Sequence, residues 1–208
     1  MKCFSIVLLI TLAACATPPT GPTLPLPLAP NPAKPFSTML PNQAWSDHLL
    51  KEVKASKLPS LKPKDAASFC PNGMSAANWA KLIAVMAYYE NSSFNPKKEY
   101  LEDFGPTSTG LLQISLSSSQ QSRYSCGLTK QSDLHDPLKN LSCGIKILQA
   151  LVAENGVIAD GRDSSNAKGG ARYWSVLREK RSIKLKSGRT ITVGKVAEIK
   201  AKLAAWCE

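Results

Sequence analysis

Apolar positions recur at helical spacing along Met74 to Glu90. Trp79, Ile83 and Met86 follow one another at steps of four and three, and Glu90 takes the next place on the same stripe. The pattern predicts one helix over this run, with a carboxylate at the end of a face that otherwise points to a core. Further core helices are predicted near Pro137 to Val152 and near Gly194 to Trp206, where Val196, Ile199, Leu203 and Trp206 keep the same spacing. That last stripe reads as packing. Pro96 cannot continue a helix and helps to end the one carrying Glu90, while Gly110 to Ser115 suits a short strand beside it. Ile183 to Val193, with Ser187-Gly188 in its middle, fits either a hairpin or an irregular basic loop. The fold class that follows is mainly α with a small β element.

Glu90 carries the chemistry in this picture. Burial disfavours an ionised carboxylate, and the negative end of a helix dipole disfavours it further, so both push its pKa upward. A carboxyl still protonated near neutral pH is a proton donor, which is what breaking a glycosidic bond requires. An acid at a helix end can also be solvated or a cap. The surrounding residues decide between these readings.

The chain begins with one charged side chain, Lys2, and an apolar run too short to stay in a bilayer as a spanning helix, the pattern of a secretory signal. Leu12-Ala13-Ala14-Cys15 resembles a bacterial lipobox, which implies cleavage after residue 14 and a lipid on Cys15. Ala16 follows where an aspartate would point to inner-membrane retention, so the expected location is an exported protein lipid-anchored to the cell envelope, on the periplasmic face of the outer membrane. From Ala16 to Asn42 nine prolines and one charge, Lys34, rule out a core and predict an extended spacer. The expected domains are therefore a signal peptide (1–14), the lipidated cysteine with its linker (15–42) and one folded domain (43–208).

Four cysteines lie in that domain, in a compartment where they can pair. The preferred pairs are Cys126 with Cys143, closing a loop onto a helix start, and Cys70 with Cys207, tying the domain's first part to its C-terminus. No metal is expected, because the spacings are wide and His48 and His135 sit elsewhere. The formal charge of +11, with much of the excess between Arg172 and Lys202, suits anionic cell-wall polymers or membrane surfaces, and no nucleic acid is expected as a partner outside the cytoplasm.

Glu90 before Ser93-Phe94-Asn95-Pro96, then Gly110-Leu111-Leu112-Gln113-Ile114, then Asp136-Pro137 with Asn140, Gly144, Ile145 and Leu148, resembles in that order the lytic transglycosylase and goose-type lysozyme branch of the lysozyme superfamily. The resemblance spans roughly Leu82 to Leu151. It implies a lysozyme-like fold and cleavage of the β-1,4 bond between N-acetylmuramic acid and N-acetylglucosamine in peptidoglycan, by Glu90 and without a cofactor. Gln113 would face the groove and bond a sugar amide or hydroxyl. Departures are visible too. One extra residue separates Glu90 from Phe94, Leu112 stands where methionine is common, and the Ala-Tyr-Asn-Ala-Gly segment is replaced by Ala171-Arg172-Tyr173-Trp174-Ser175, making Tyr173 the candidate substitute for its tyrosine.

The product turns on a second carboxylate, for which Glu99, Glu102 and Asp103 are candidates, Asp103 standing nearest to the auxiliary aspartate of goose-type lysozymes. A lytic transglycosylase would do without it, Glu90 acting as acid and then as base while a muramic acid hydroxyl closes an anhydro ring. The rival readings are a noncatalytic peptidoglycan-binding lipoprotein that keeps the groove and a lysozyme-like module that binds other proteins.

Overall fold

Asn42 opens the first helix by accepting a hydrogen bond from the Ala44 amide, and α1 (Gln43–Ala55) buries Leu49 and Val53. The computed structural model describes residues 40–101, 106–185 and 187–207. The expected leader, Cys15, nearly all of the proline-rich stretch, and Glu102 and Asp103 lie outside the described residues. After the short α2 (Ala66–Phe69), Ser75 caps α3 (Ala76–Glu90) by accepting from the Asn78 amide. Every residue of α3 from Asn78 to Ala87 is buried. The predicted stripe is thus one line on a helix enclosed on all sides, which is why its apolar residues outnumber what one face needs.

Strands β1 (Glu99–Leu101), β2 (Thr107–Thr109) and β3 (Ile114–Ser115) form an antiparallel sheet in that order, with Tyr100 opposite Ser108 and Thr109 opposite Ile114. The expected strand from Gly110 to Ser115 is corrected here. Only Ile114 and Ser115 are extended; Gly110 (φ 80°) and Gln113 (φ 47°) take left-handed backbone, and the four residues between the strands make a tight turn.

The turn of α4 (Leu116–Ser119) leads toward α5 (Pro137–Asn155), which Asp136 caps through the Leu138 and Lys139 amides, with Pro137 in the first turn and left-handed Gly156 at the end. It runs three residues past the predicted Val152. The pair β4 (Ala159–Asp160) and β5 (Lys168–Gly169) follows, and then β6 (Arg181–Lys184) and β7 (Thr190–Val193). The segment left open between hairpin and loop is therefore a hairpin, with Ile183 opposite Ile191. Helix α6 (Val196–Ala204) is shorter than the Gly194 to Trp206 expected, because Gly194 (φ 85°) lies outside helical backbone.

The core gathers around α3, which packs on α1 and α6, while α1 also packs on α5. Cys70 is bonded to Cys207 and Cys126 to Cys143, the pairs preferred from sequence. The first spans 137 residues and fastens the segment before α3 to the residues just after α6. Among the described residues no helix is long and apolar enough to cross a membrane. The architecture is mainly helical with small antiparallel sheets, a lysozyme-like fold.

Candidate active site

The chain leaves Glu90 and turns back at once. Asn91 is fully buried, and its Nδ2 donates to the Asn95 carbonyl (2.7 Å) and to the Gly110 carbonyl (3.1 Å), while Ser93 Oγ donates to its Oδ1 (2.9 Å). The residue after the acid thus ties the end of α3 to the Gly110 turn.

Helix α5 holds that turn from the other side. Asn140, also fully buried, donates from Nδ2 to the carbonyls of Thr109 (3.0 Å) and Leu134 (3.1 Å) and accepts from the Leu112 amide (2.9 Å) on Oδ1. A Cβ at residue 110 would stand 2.4 Å from Asn140 Nδ2 and 2.6 Å from the Leu134 carbonyl, so glycine is demanded both by space and by its positive φ. Gly144, one turn further on, lets Leu112 lie against the helix, where a Cβ would come within 2.2 Å of Leu112 Cδ1.

Gln113 is 8% exposed, and its Nε2 donates to the carbonyls of Gly110 (2.7 Å) and Lys98 (3.3 Å). Backbone satisfies its nitrogen. It nevertheless lines both cavities that Glu90 lines, so its side-chain oxygen is the part that can meet a ligand.

Glu90 is half-buried and stands where these two cavities meet. The smaller, of about 290 Å³, runs past Gln113, Ser115, Ser118, Tyr173 and Trp174. The larger, of about 750 Å³, runs between Lys98 and Tyr100 on one side and the β6–β7 hairpin on the other. Among the described residues that line either cavity, Glu90 is the one carboxylate.

Tyr173 lies in the smaller cavity, its hydroxyl accepting from the Ser115 amide (3.2 Å). Burial pushes its pKa up and the negative charge of Glu90 adds to that, while hydrogen bonds with Ser118 and Ser115 pull it back. The phenol stays protonated at neutral pH and close enough to Glu90 to feel its charge. Trp174 is buried and donates from Nε1 to the Leu112 carbonyl (2.9 Å), a core role that also supports the Gly110 turn.

Two residues went unseen in the sequence. Asn91 belongs to none of the sequence motifs, and its burial depends on a carbonyl 19 positions away. Arg178 was one member of a basic run. In the fold its Nε donates to the Ala171 carbonyl (2.8 Å) and it lines both cavities. Burial lowers its pKa and Arg181 adds to the effect, with Asp163 and Glu90 opposing it. No local signal marks either residue.

Of the candidate second carboxylates, Glu99 is turned to other partners. It pairs with His135 Nε2 at 2.9 Å and lines a different cavity of about 230 Å³ with Thr107 and Gln131, whose Nε2 bonds Thr109 Oγ1. Asp103 lies outside the described residues. No group of three or more His, Cys, Asp or Glu side chains suited to a metal occurs among the described residues.

The chain matches the Transglycosylase SLT domain over residues 72–162, a stretch that includes Glu90, Gln113 and Asn140 and ends before Tyr173 and the hairpin. Solved structures similar to it include three of DslA. Wild-type form 2 is 33% identical, with a TM-score of 0.67, and the likeness covers 86% of this chain and all (100%) of that one. A glutamate-to-glutamine mutant is 35% identical, with a TM-score of 0.63 over 79% of this chain and 90% of the other. A second such mutant is 34% identical, with a TM-score of 0.66 over 80% and 92%. No curated protein matches the chain.

Proposed function

The chain belongs to the family of the Transglycosylase SLT domain, whose members are lytic transglycosylases and lysozyme-like enzymes of peptidoglycan, and on that premise we propose that it cleaves the β-1,4 bond between N-acetylmuramic acid and N-acetylglucosamine with Glu90 as the reacting acid. The observation that carries this reading is the place of Glu90, at the junction of two cavities that meet as a groove. A glycan strand laid along both would bring one glycosidic oxygen to the carboxyl.

In the proposed sequence Glu90 gives its proton to that oxygen as the bond to the muramic acid C1 breaks. The positive charge that develops at C1 is stabilised by the carboxylate left behind. Glu90 then takes the proton of the muramic acid C6 hydroxyl as its oxygen closes on C1, leaving a 1,6-anhydro end and the acid ready for another cycle. Gln113 offers its side-chain oxygen and Tyr173 its hydroxyl to hold the sugar. Arg178 tempers the negative charge of Glu90 between the two proton transfers.

A second reading has its own support. Pro106, three residues after Asp103 in sequence, lines the smaller cavity. Asp103 would then serve water attack, and the product would be a reducing end.

The test sets the purified protein beside Glu90→Gln with peptidoglycan, acetylated and deacetylated, and follows release of soluble fragments. Loss of at least about a thousandfold in rate, with an unchanged melting temperature, is expected. Full activity in the variant would remove Glu90 from the mechanism, and glycan binding without release by either protein would establish the noncatalytic reading. The lipid anchor on Cys15 and the proline-rich spacer belong to the same proposal, placing the domain at the periplasmic face of the outer membrane. Labelling with a radioactive fatty acid that persists in Cys15→Ser would refute the anchor.

A further inference from the structure

The first segment of the domain carries a charge pattern that the groove does not use. Between residues 51 and 64 stand five lysines, Lys51, Lys54, Lys57, Lys62 and Lys64, all exposed, and one acid, Glu52. Glu52 is half-buried and accepts from Ser142 Oγ (3.3 Å). The acids on either flank are engaged as well. Asp47 accepts from Gln43 Nε2 (2.7 Å), and Asp65 accepts from the amides of Ile158 (2.7 Å) and Ala159 (3.0 Å). Among the described residues none of the five lysines takes part in an ion pair.

The fold gathers these charges on one patch. Lys51 and Lys54 lie one turn apart on the side of α1 left exposed when Leu49 and Val53 face the core. The chain then runs beside α5. The Lys57 amide donates to Gln149 Oε1 (2.7 Å) and the Lys64 amide to the Gly156 carbonyl (2.9 Å), positions about 10 Å apart along that helix. Leu58 and Pro63, both buried, hold the segment between them to the core. The five ammonium groups therefore rise from a fixed backbone, close enough to act together on an anionic partner.

None of the five lines either cavity at Glu90. A spread of single charges without a pocket suits a plane of anionic headgroups better than one small anion, which a concave site would enclose. Chain order points the same way. Among the described residues α1 is the first element after the proline-rich stretch, at whose start stands Cys15, the proposed site of the lipid. We propose that the lysines from Lys51 to Lys64 form a docking surface for anionic phospholipid headgroups, which holds the domain against the bilayer through residues that take no part in the groove. The inference rests on the lipid-anchor reading for its setting and is independent of the cleavage chemistry.

Vesicle binding by the unlipidated chain separates the patch from the anchor. The protein from residue 15 onward with Cys15→Ser keeps every described residue. It would be sedimented with neutral phosphatidylcholine vesicles and with vesicles containing about a third phosphatidylglycerol. Partitioning onto the anionic vesicles is expected to be at least about tenfold stronger, and to weaken as salt rises. The combined variant Lys51→Gln, Lys54→Gln, Lys57→Gln, Lys62→Gln and Lys64→Gln loses that difference. A control of equal net charge, Lys130→Gln, Lys168→Gln, Lys180→Gln, Lys184→Gln and Arg189→Gln, keeps it to within about threefold. All ten positions are exposed, and both variants are expected to keep the parent's melting temperature. Equal binding to both kinds of vesicle, equal loss in both variants, or loss of binding to purified peptidoglycan in place of vesicles would overturn the lipid surface. Charge-dependent vesicle binding by a protein whose Cys15 takes up no fatty acid would defeat the anchor reading alone.

Discussion

The two walls of the groove are built on opposite terms. On the Glu90 side, Asn91 and Asn140 are fully buried and use their amides to hold backbone carbonyls and an N–H of the Gly110 turn. On the far side, a two-stranded hairpin with no residue fully buried is anchored at its base, where the Lys195 amide bonds the Val176 carbonyl (2.8 Å) and Gly194 passes so close to Glu179 that a Cβ would lie 2.2 Å from its carbonyl. One wall fixes the position of the proposed reacting group, for which small displacements would matter. The other presents charge and apolar surface, which an element with no fully buried residue can do.

The strongest way to break this contrast is Asn140→Ala. It strands the Leu112 amide and the carbonyls of Thr109 and Leu134 in the core, and a loss of about 3 kcal/mol or more is expected in denaturant unfolding. Gly110→Ala comes next, at about 2 kcal/mol, because it adds a steric clash with Asn140 to a positive φ. In the hairpin, Ile183→Thr with Ile191→Thr is expected to change stability by less than about 1 kcal/mol, since both are only half-buried, while raising KM severalfold. A large fall in melting temperature there would show that both walls are structural.

The smallest effect is one of pH. Asp133, just before the Leu134 carbonyl that Asn140 holds, has its pKa lowered to about 2 by the Lys139 ammonium (2.8 Å), with the Thr129 and Lys130 amides helping. A folded-state pKa below the unfolded value near 3.8 stabilises the fold above about pH 4, and that contribution is lost as pH falls toward 2. Acid unfolding of Asp133→Asn is therefore expected to be shallower across this window.

The same contrast separates what could be read from sequence from what could not. The acid on α3, the glycine of the turn and Asn140 on α5 were legible because they stand in one ordered set of motifs, and both disulfide pairs because of where the four cysteines fall along the domain. The turn from Gly110 to Gln113 was not, since a short apolar run suits a strand equally well and positive φ at Gln113 leaves no mark in its side chain. Asn91 and Arg178 take their meaning from distant elements. The alternation of Ile183, Ile191 and Val193 allowed a hairpin, but that its half-buried face lines the Glu90 cavity depends on how the whole chain folds back.

Whether one acid serves both proton transfers is written in the ends of the products. Peptidoglycan digested by the protein and by Glu90→Gln would be analysed by mass spectrometry. With Glu90 acting as acid and then base, the digest is expected to contain 1,6-anhydro muropeptides that vanish in the variant. Reducing ends one water heavier, abolished by Asp103→Asn as well, would contradict it and assign the cleavage to a pair of carboxylates.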